Sequence, residues 1–103
     1  MARFGLYGKI KVQEGKRDEM IAVLMQAAAT MPDDPDCELY IINTSPAEPD
    51  VIWVTEVWSS REAHQASLAR DEVKALIARG MPLIAGGERI EVEPVGGKGL
   101  KAG

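Results

Sequence analysis

His64 is the single histidine of the chain. Its imidazole is the side chain whose unperturbed pKa, about 6.5, lies nearest neutrality, so it suits a base that takes a proton from a weakly acidic hydroxyl. Trp58 stands shortly before it and offers an indole on which a planar ligand can stack. Tyr40 and Asn43 fall together in the run LYIIN and carry groups able to orient a hydroxyl or hold a developing oxyanion. Each residue also has a plainer use. A lone His in a polar helical turn ordinarily meets solvent or caps the turn, and Trp58 is equally suited to core packing. Tyr40 can belong to a subunit interface, and Asn43 can simply end a strand. Cys37 lies between Asp36 and Glu38, with no basic neighbour to stabilise a thiolate, and reads as structural.

The same inventory bears on cofactors. One His and one Cys cannot assemble a typical zinc site, and the glycines at 80, 86 and 87 follow a helical segment instead of opening one, so there is no phosphate-binding fingerprint. The expectation is a protein with no metal, haem or flavin.

These residues must be positioned by elements that the periodicity locates. Phe4, Leu6, Ile10 and Val12 share one parity against Tyr7, Lys9 and Lys11, the period of a half-buried strand. After Gly15, the residues Met20, Val23, Leu24, Ala27 and Met31 recur at helical spacing, with Asp18 and Glu19 in the first turn, predicting a helix over about 16–31. The stripe is an ordinary core face, and its surface could also roof a pocket between helix and sheet. MPDDPD is a stop and a turn, CELYIIN a second strand, TSPAEPD a loop, and VIWVTEVW a third strand. Ser59 and Glu62 have capping-box spacing at the start of a second helical region that restarts near Asp71 and ends at Gly80, a plausible C-terminal cap before Pro82. Ile90 and Val92 alternate with Arg89, Glu91 and Glu93 as a fourth strand. Residues 96–103 are too rich in Gly and Lys to pack, which leaves one domain over 1–95 and a flexible tail.

The order β-α-β-β-α-β is the split β-α-β pattern of ferredoxin-like α+β domains, an antiparallel sheet with both helices on one face. The third strand is apolar on both parities, Val51, Trp53 and Val57 against Ile52, Val54 and Trp58, and the second strand repeats this with Leu39 and Ile41 against Tyr40 and Ile42. A sheet covered on one side ordinarily alternates apolar with polar, so the second apolar face needs a cover. With no residues left for another layer, the simplest cover is the same face of a second copy, a homodimer about a two-fold axis. Trp53 is then an interface residue.

Composition bounds the partners. At 103 residues the chain has room for one core, and 46% hydrophobic with 27% charged residues is a globular balance. A net charge of −4 with scattered acids argues against nucleic acid. No apolar stretch approaches the roughly 20 residues of a membrane span, and MARFGLYGKIKV lacks the apolar run of a signal peptide, so the expected location is the cytoplasm.

The run LYIINTSPAEPDVIWVTEVWSSREAHQASL resembles the antibiotic biosynthesis monooxygenase family. The matching features are Tyr40 with Asn43, Pro49 in the loop, the E-x-W of Glu56 and Trp58, and a Ser-rich entry to the next helix, within a likeness extending over about 4–95. The chain departs from the pattern at Ser67, where many members have a His; its own His is one helical turn earlier. The resemblance implies a dimeric α+β barrel. It also implies cofactor-independent oxygenation, by molecular oxygen, of a small electron-rich aromatic such as a quinol or polyphenol. On that reading His64, Tyr40 and Asn43 are catalytic, and Trp58, Glu56 and Leu24 bind the substrate. The alternative is a non-catalytic or regulatory module using the same barrel to hold a small apolar ligand.

Overall fold

The structure, a computed structural model, describes residues 2–31 and 34–100. Its elements are β1 (Phe4–Val12), α1 (Arg17–Ala29), β2 (Cys37–Ser45), β3 (Glu48–Trp58), α2 (Arg61–Leu68), α3 (Asp71–Gly80), a 3-10 turn (Met81–Leu83) and β4 (Ile84–Val92). The strands form one antiparallel sheet in the order β2-β3-β1-β4, so β3, the strand richest in β-branched and aromatic residues, lies inside the sheet with a partner on each side. This is the α+β, ferredoxin-like architecture that the alternation of elements predicts.

Register decides which side chains share a face. Phe4, Leu6 and Ile10 of β1 lie opposite Trp58, Glu56 and Ile52 of β3, and Tyr40 and Ile42 of β2 lie opposite Glu56 and Val54. This face meets the helices: Ile52, Val54 and Val12 pack with Met20, Val23 and Leu24 of α1 and with Leu76 of α3, all buried. Fully burying an aliphatic side chain contributes about 1.5–3 kcal/mol, which makes this cluster the main source of stability. A second cluster of Phe4, Leu6 and Trp58 fills the end of the sheet next to α2.

Several boundaries differ from the sequence reading. The expected TSPAEPD loop is mostly strand, because β2 and β3 continue into a hairpin in which Ser45 pairs with Glu48 across a two-residue turn. Prolines 46 and 49 are tolerated because one sits in the turn and the other on unpaired backbone beside it. β4 begins at Ile84, earlier than its alternation shows, since Gly86 and Gly87 have no side chain to register on either face. The cap of α2 is Ser60, whose Oγ accepts from the Ala63 amide at 3.1 Å; Ser59 is diverted to Asp36, donating its Oγ–H at 2.7 Å. Gly80 is no left-handed cap, for it has helical φ and ψ and leads straight into the 3-10 turn. A Cβ there would lie 3.1 Å from Met20 Cε, so glycine lets α3 approach α1. Part of the predicted MPDDPD turn, residues 32–33, lies outside the described residues.

The other face carries Leu39, Ile41 and Asn43 of β2, Trp53, Thr55 and Val57 of β3, Tyr7 and Lys9 of β1, and Ile90 and Val92 of β4. Ile41, Tyr7 and Ile90 form one rung across the sheet and are 46%, 44% and 53% exposed, an apolar band turned to solvent. Lys9 Nζ stands 5.6 Å from the Trp53 ring centroid on the same face. Beyond β4 the chain returns over the end of this face, and Gly5 permits it: a Cβ there would meet Val92 Cγ2 at 2.6 Å and Pro94 Cγ at 3.0 Å. Residues 96–100 of the expected tail lie beside Tyr7, Leu39 and Val57 without regular structure, and 101–103 lie outside the described residues.

Candidate active site

Between the sheet and the three helices lies a cavity of about 180 Å³. Its walls are almost wholly apolar, with Met20, Val23 and Leu24 from α1 and Val73 and Leu76 from α3. Polar groups gather at one end. Glu56 and Tyr40 are cross-strand partners there, Trp58 follows Glu56 on the same face, and His64 of α2 comes down beside them. The strand period of two puts Glu56 and Trp58 on one face, and Ser60 starts α2 early enough for His64 to turn inward on the helix's buried side.

The Trp58 indole N–H donates to Glu56 Oε1 at 3.0 Å, and His64 Nε2 lies 3.9 Å from the same oxygen. His64 is only 6% exposed; its ring is tilted against Phe4 at 5.1 Å and meets Trp58 edge-on at 5.5 Å. Ser67, one turn further along α2, donates its hydroxyl to the His64 carbonyl at 2.6 Å and also lines the cavity. Arg61 also packs on Phe4, 4.7 Å from the ring centroid, and forms a bidentate bridge to Glu91 at 2.9 and 3.0 Å.

Burial shifts all three ionisable groups of the cavity toward neutrality. It pushes the Glu56 carboxyl up, partly offset by the Trp58 hydrogen bond and by Arg89. It draws the His64 imidazole down, and Arg89 and Arg61 reinforce that while Glu91 opposes it. It holds the Tyr40 hydroxyl well above its ordinary range, with Glu56 adding to the effect. Near neutral pH, therefore, His64 is an uncharged acceptor and Tyr40 a protonated donor. Cys37 is raised to about 11 by burial and by Glu56 and Asp34, so it is an inert thiol, in keeping with its structural reading.

Of the residues singled out in the sequence, the cavity brings together His64, Tyr40, Trp58, Glu56 and Leu24. Asn43 is a correction. It lies on the opposite face of the sheet, where its Nδ2 donates to the Trp53 carbonyl at 3.1 Å and to Thr55 Oγ1 at 3.4 Å. An odd offset of three along a strand cannot put Asn43 on Tyr40's side. Tyr40 is likewise corrected as an interface residue, since its side chain faces the helices. Trp58 proves to be both cavity wall and core, 1% exposed. Sequence reasoning missed Ser67 and the mouth residues Leu68, Ile77 and Met81 as cavity lining; a polar residue such as Ser67 gives no sign of facing inward, and the exposed apolar side chains of Leu68 and Ile77 give no signal that they border a cavity. It also missed Arg89, whose charge reaches the Glu56 and His64 pair from β4. Among the described residues no three His, Cys, Asp or Glu side chains are grouped as metal ligands, and no helix is long and apolar enough to cross a membrane.

Residues 3–79 match the model of the antibiotic biosynthesis monooxygenase family, and the chain belongs to that family. Its fold is similar to that of a "putative Antibiotic biosynthesis monooxygenase" from Chloroflexus aurantiacus J-10-fl, with 46% identity over 92% of this chain and 95% of that one and a TM-score of 0.85. It is also similar to a protein of the same description from Caulobacter crescentus CB15, at 28% identity over 92% of each chain and a TM-score of 0.85. A Bacteroides thetaiotaomicron protein of unknown function, described as a "Possible Oxidoreductase", shares the fold at 18% identity and a TM-score of 0.80, over 89% of this chain and 97% of that one. No curated protein matches the sequence significantly.

Proposed function

We propose that this protein is a monooxygenase that oxidises a small electron-rich hydroxyaromatic, a hydroquinone or related phenol, in the cavity beneath its helices, and that it acts as a homodimer joined through the open face of the sheet. The observation that carries the reading is the position of the buried His64, 3.9 Å from Glu56 at the polar end of an otherwise apolar cavity, where burial draws its imidazole below the usual pKa. Such a site suits a ligand with a flat apolar body and an acidic O–H. Tyr40 and Trp58 complete it, Tyr40 as a hydroxyl donor and Trp58 as a wall and as the anchor of Glu56.

The chemistry asks little of the protein. His64 accepts the phenolic proton, and the apolar walls keep water away from the resulting phenolate. The phenolate passes one electron to dioxygen, and the aryloxyl radical and superoxide recombine to form a C–O bond at a ring carbon. His64 returns its proton to the peroxide, and the O–O bond then breaks as the hydrogen of that ring carbon is lost, releasing water and leaving one oxygen on the ring. The sum is hydroquinone plus dioxygen giving hydroxybenzoquinone plus water; the substrate supplies all the electrons, so no further reductant enters. The reading calls on no metal, haem or flavin.

The dimer is supported by the exposed rung of Ile41, Tyr7 and Ile90, whose apolar surface a second copy would cover. A second functional reading, a ligand-binding module without chemistry, is favoured by Ser67, which stands where the resemblance places a His. Oxygen uptake against a panel of hydroquinones, with chelator present, separates the two. The monooxygenase consumes oxygen well above the rate of spontaneous oxidation; a binding module leaves that rate unchanged.

A further inference from the structure

We infer that the substrate is a single-ring hydroquinone carrying an uncharged alkyl chain, with the ring held at the polar end of the cavity and the chain leaving between Leu68, Ile77 and Met81. This rests on the reading of the cavity as a hydroxyaromatic site and narrows it. The first argument is size. An apolar cavity of roughly 150 Å³ accommodates benzene, so the 180 Å³ here matches one substituted ring. Anything further must pass through the mouth.

The second argument is the chemistry of that mouth. Leu68, Ile77 and Met81 line the cavity and are nevertheless 40%, 45% and 60% exposed, so three large apolar side chains border the opening and remain in contact with water. An alkyl chain laid between them would remove that surface from water. The third argument is charge. Glu56 and His64 are the ionisable side chains on the cavity wall besides Tyr40, and no Lys or Arg is among the described residues that line the cavity and its mouth. A carboxylate or phosphate on the chain would therefore gain no cation from the lining itself.

Anaerobic calorimetric titration of the native protein with hydroquinone and its methyl, propyl and hexyl derivatives tests this, because binding is then read without turnover. Affinity should rise by about threefold to fourfold for each methylene that contacts the mouth, the usual scale of methylene burial. In the double variant Ile77→Gln, Met81→Gln that dependence on chain length should flatten. Both positions are exposed, so folding should survive, and circular dichroism checks it. If hydroquinone binds and the chain adds nothing, or if the double variant keeps the native slope, the inference is overturned while the hydroxyaromatic reading stands. If hydroquinone and every derivative fail to bind, both fall.

Discussion

Trp58 and Glu56 are joined by an indole N–H to carboxylate hydrogen bond of 3.0 Å, two residues apart on one face of β3. A carboxylate in an apolar cavity is costly without a donor, and this bond supplies one while Trp58 itself is buried in the core. Trp58→Phe removes the donor and keeps most of the packing. It should destabilise the fold by about 1–3 kcal/mol, the scale for a buried polar group left unpaired. Since the hydrogen bond lowers the Glu56 pKa, its loss should also push that pKa further up. Chemical denaturation at several pH values checks both effects, and a variant as stable as the native protein would show that the bond contributes nothing.

Glu56→Gln probes the same relationship with the opposite sign. Because the folded-state pKa of Glu56 lies above its ordinary value of about 4.5, the group favours folding fully below pH 4.5, and that contribution is lost as pH rises through the raised value. Glutamine still accepts from the indole but carries no charge. The variant should therefore melt higher than the native protein at pH 7–8 and alike near pH 4. Each kcal/mol gained would move Tm by about 4–8 °C in a domain of this size.

His64 is drawn below its usual pKa by burial and by Arg89. If it is the base, it stays neutral and competent below pH 6.5, so the acid limb of kcat/KM should fall at a pH lower than 6.5. Stability should behave in parallel: the unfolded chain takes up the His proton first, so folding weakens as pH drops below 6.5 toward the folded-state pKa. His64→Gln should lower turnover by about 100-fold and erase the limb while substrate still binds. A variant with native turnover would move the base role to Glu56 or to a substrate already ionised in solution.

The dimer proposal concerns the other face of the sheet. Ile41→Glu or Trp53→Glu places a charge where a partner's apolar face would bury it, at a cost of several kcal/mol, and should dissociate the dimer in sedimentation at micromolar concentration. Tyr40→Phe should leave assembly intact, because Tyr40 faces the helices. A native protein that sediments as a monomer would remove the proposal.

Much of this was legible in the sequence, because strand and helix periods are carried by the residues themselves. The parities of β1 and β3 and the stripe of α1 gave the sheet, its two faces and the helix that covers one of them. Parity also held the information that Tyr40 and Asn43 cannot share a site, since they are three residues apart in one strand. What could not be read were choices made by tertiary contacts. Whether Ser59 or Ser60 caps α2 depends on Asp36, which reaches Ser59 from another loop. Likewise Arg61 is taken up by Glu91, thirty residues away, and Arg89 acts on His64 and Glu56 only because β4 lies beside β1.

The most direct test of the proposed chemistry is the fate of isotopic oxygen. Under ¹⁸O₂ with a hydroquinone as substrate and chelator present, mass spectrometry of the rapidly quenched product should show a hydroxyquinone carrying one labelled oxygen. Its formation should depend on His64. Unlabelled benzoquinone accompanied by hydrogen peroxide, at the same rate with and without the protein, would contradict the account.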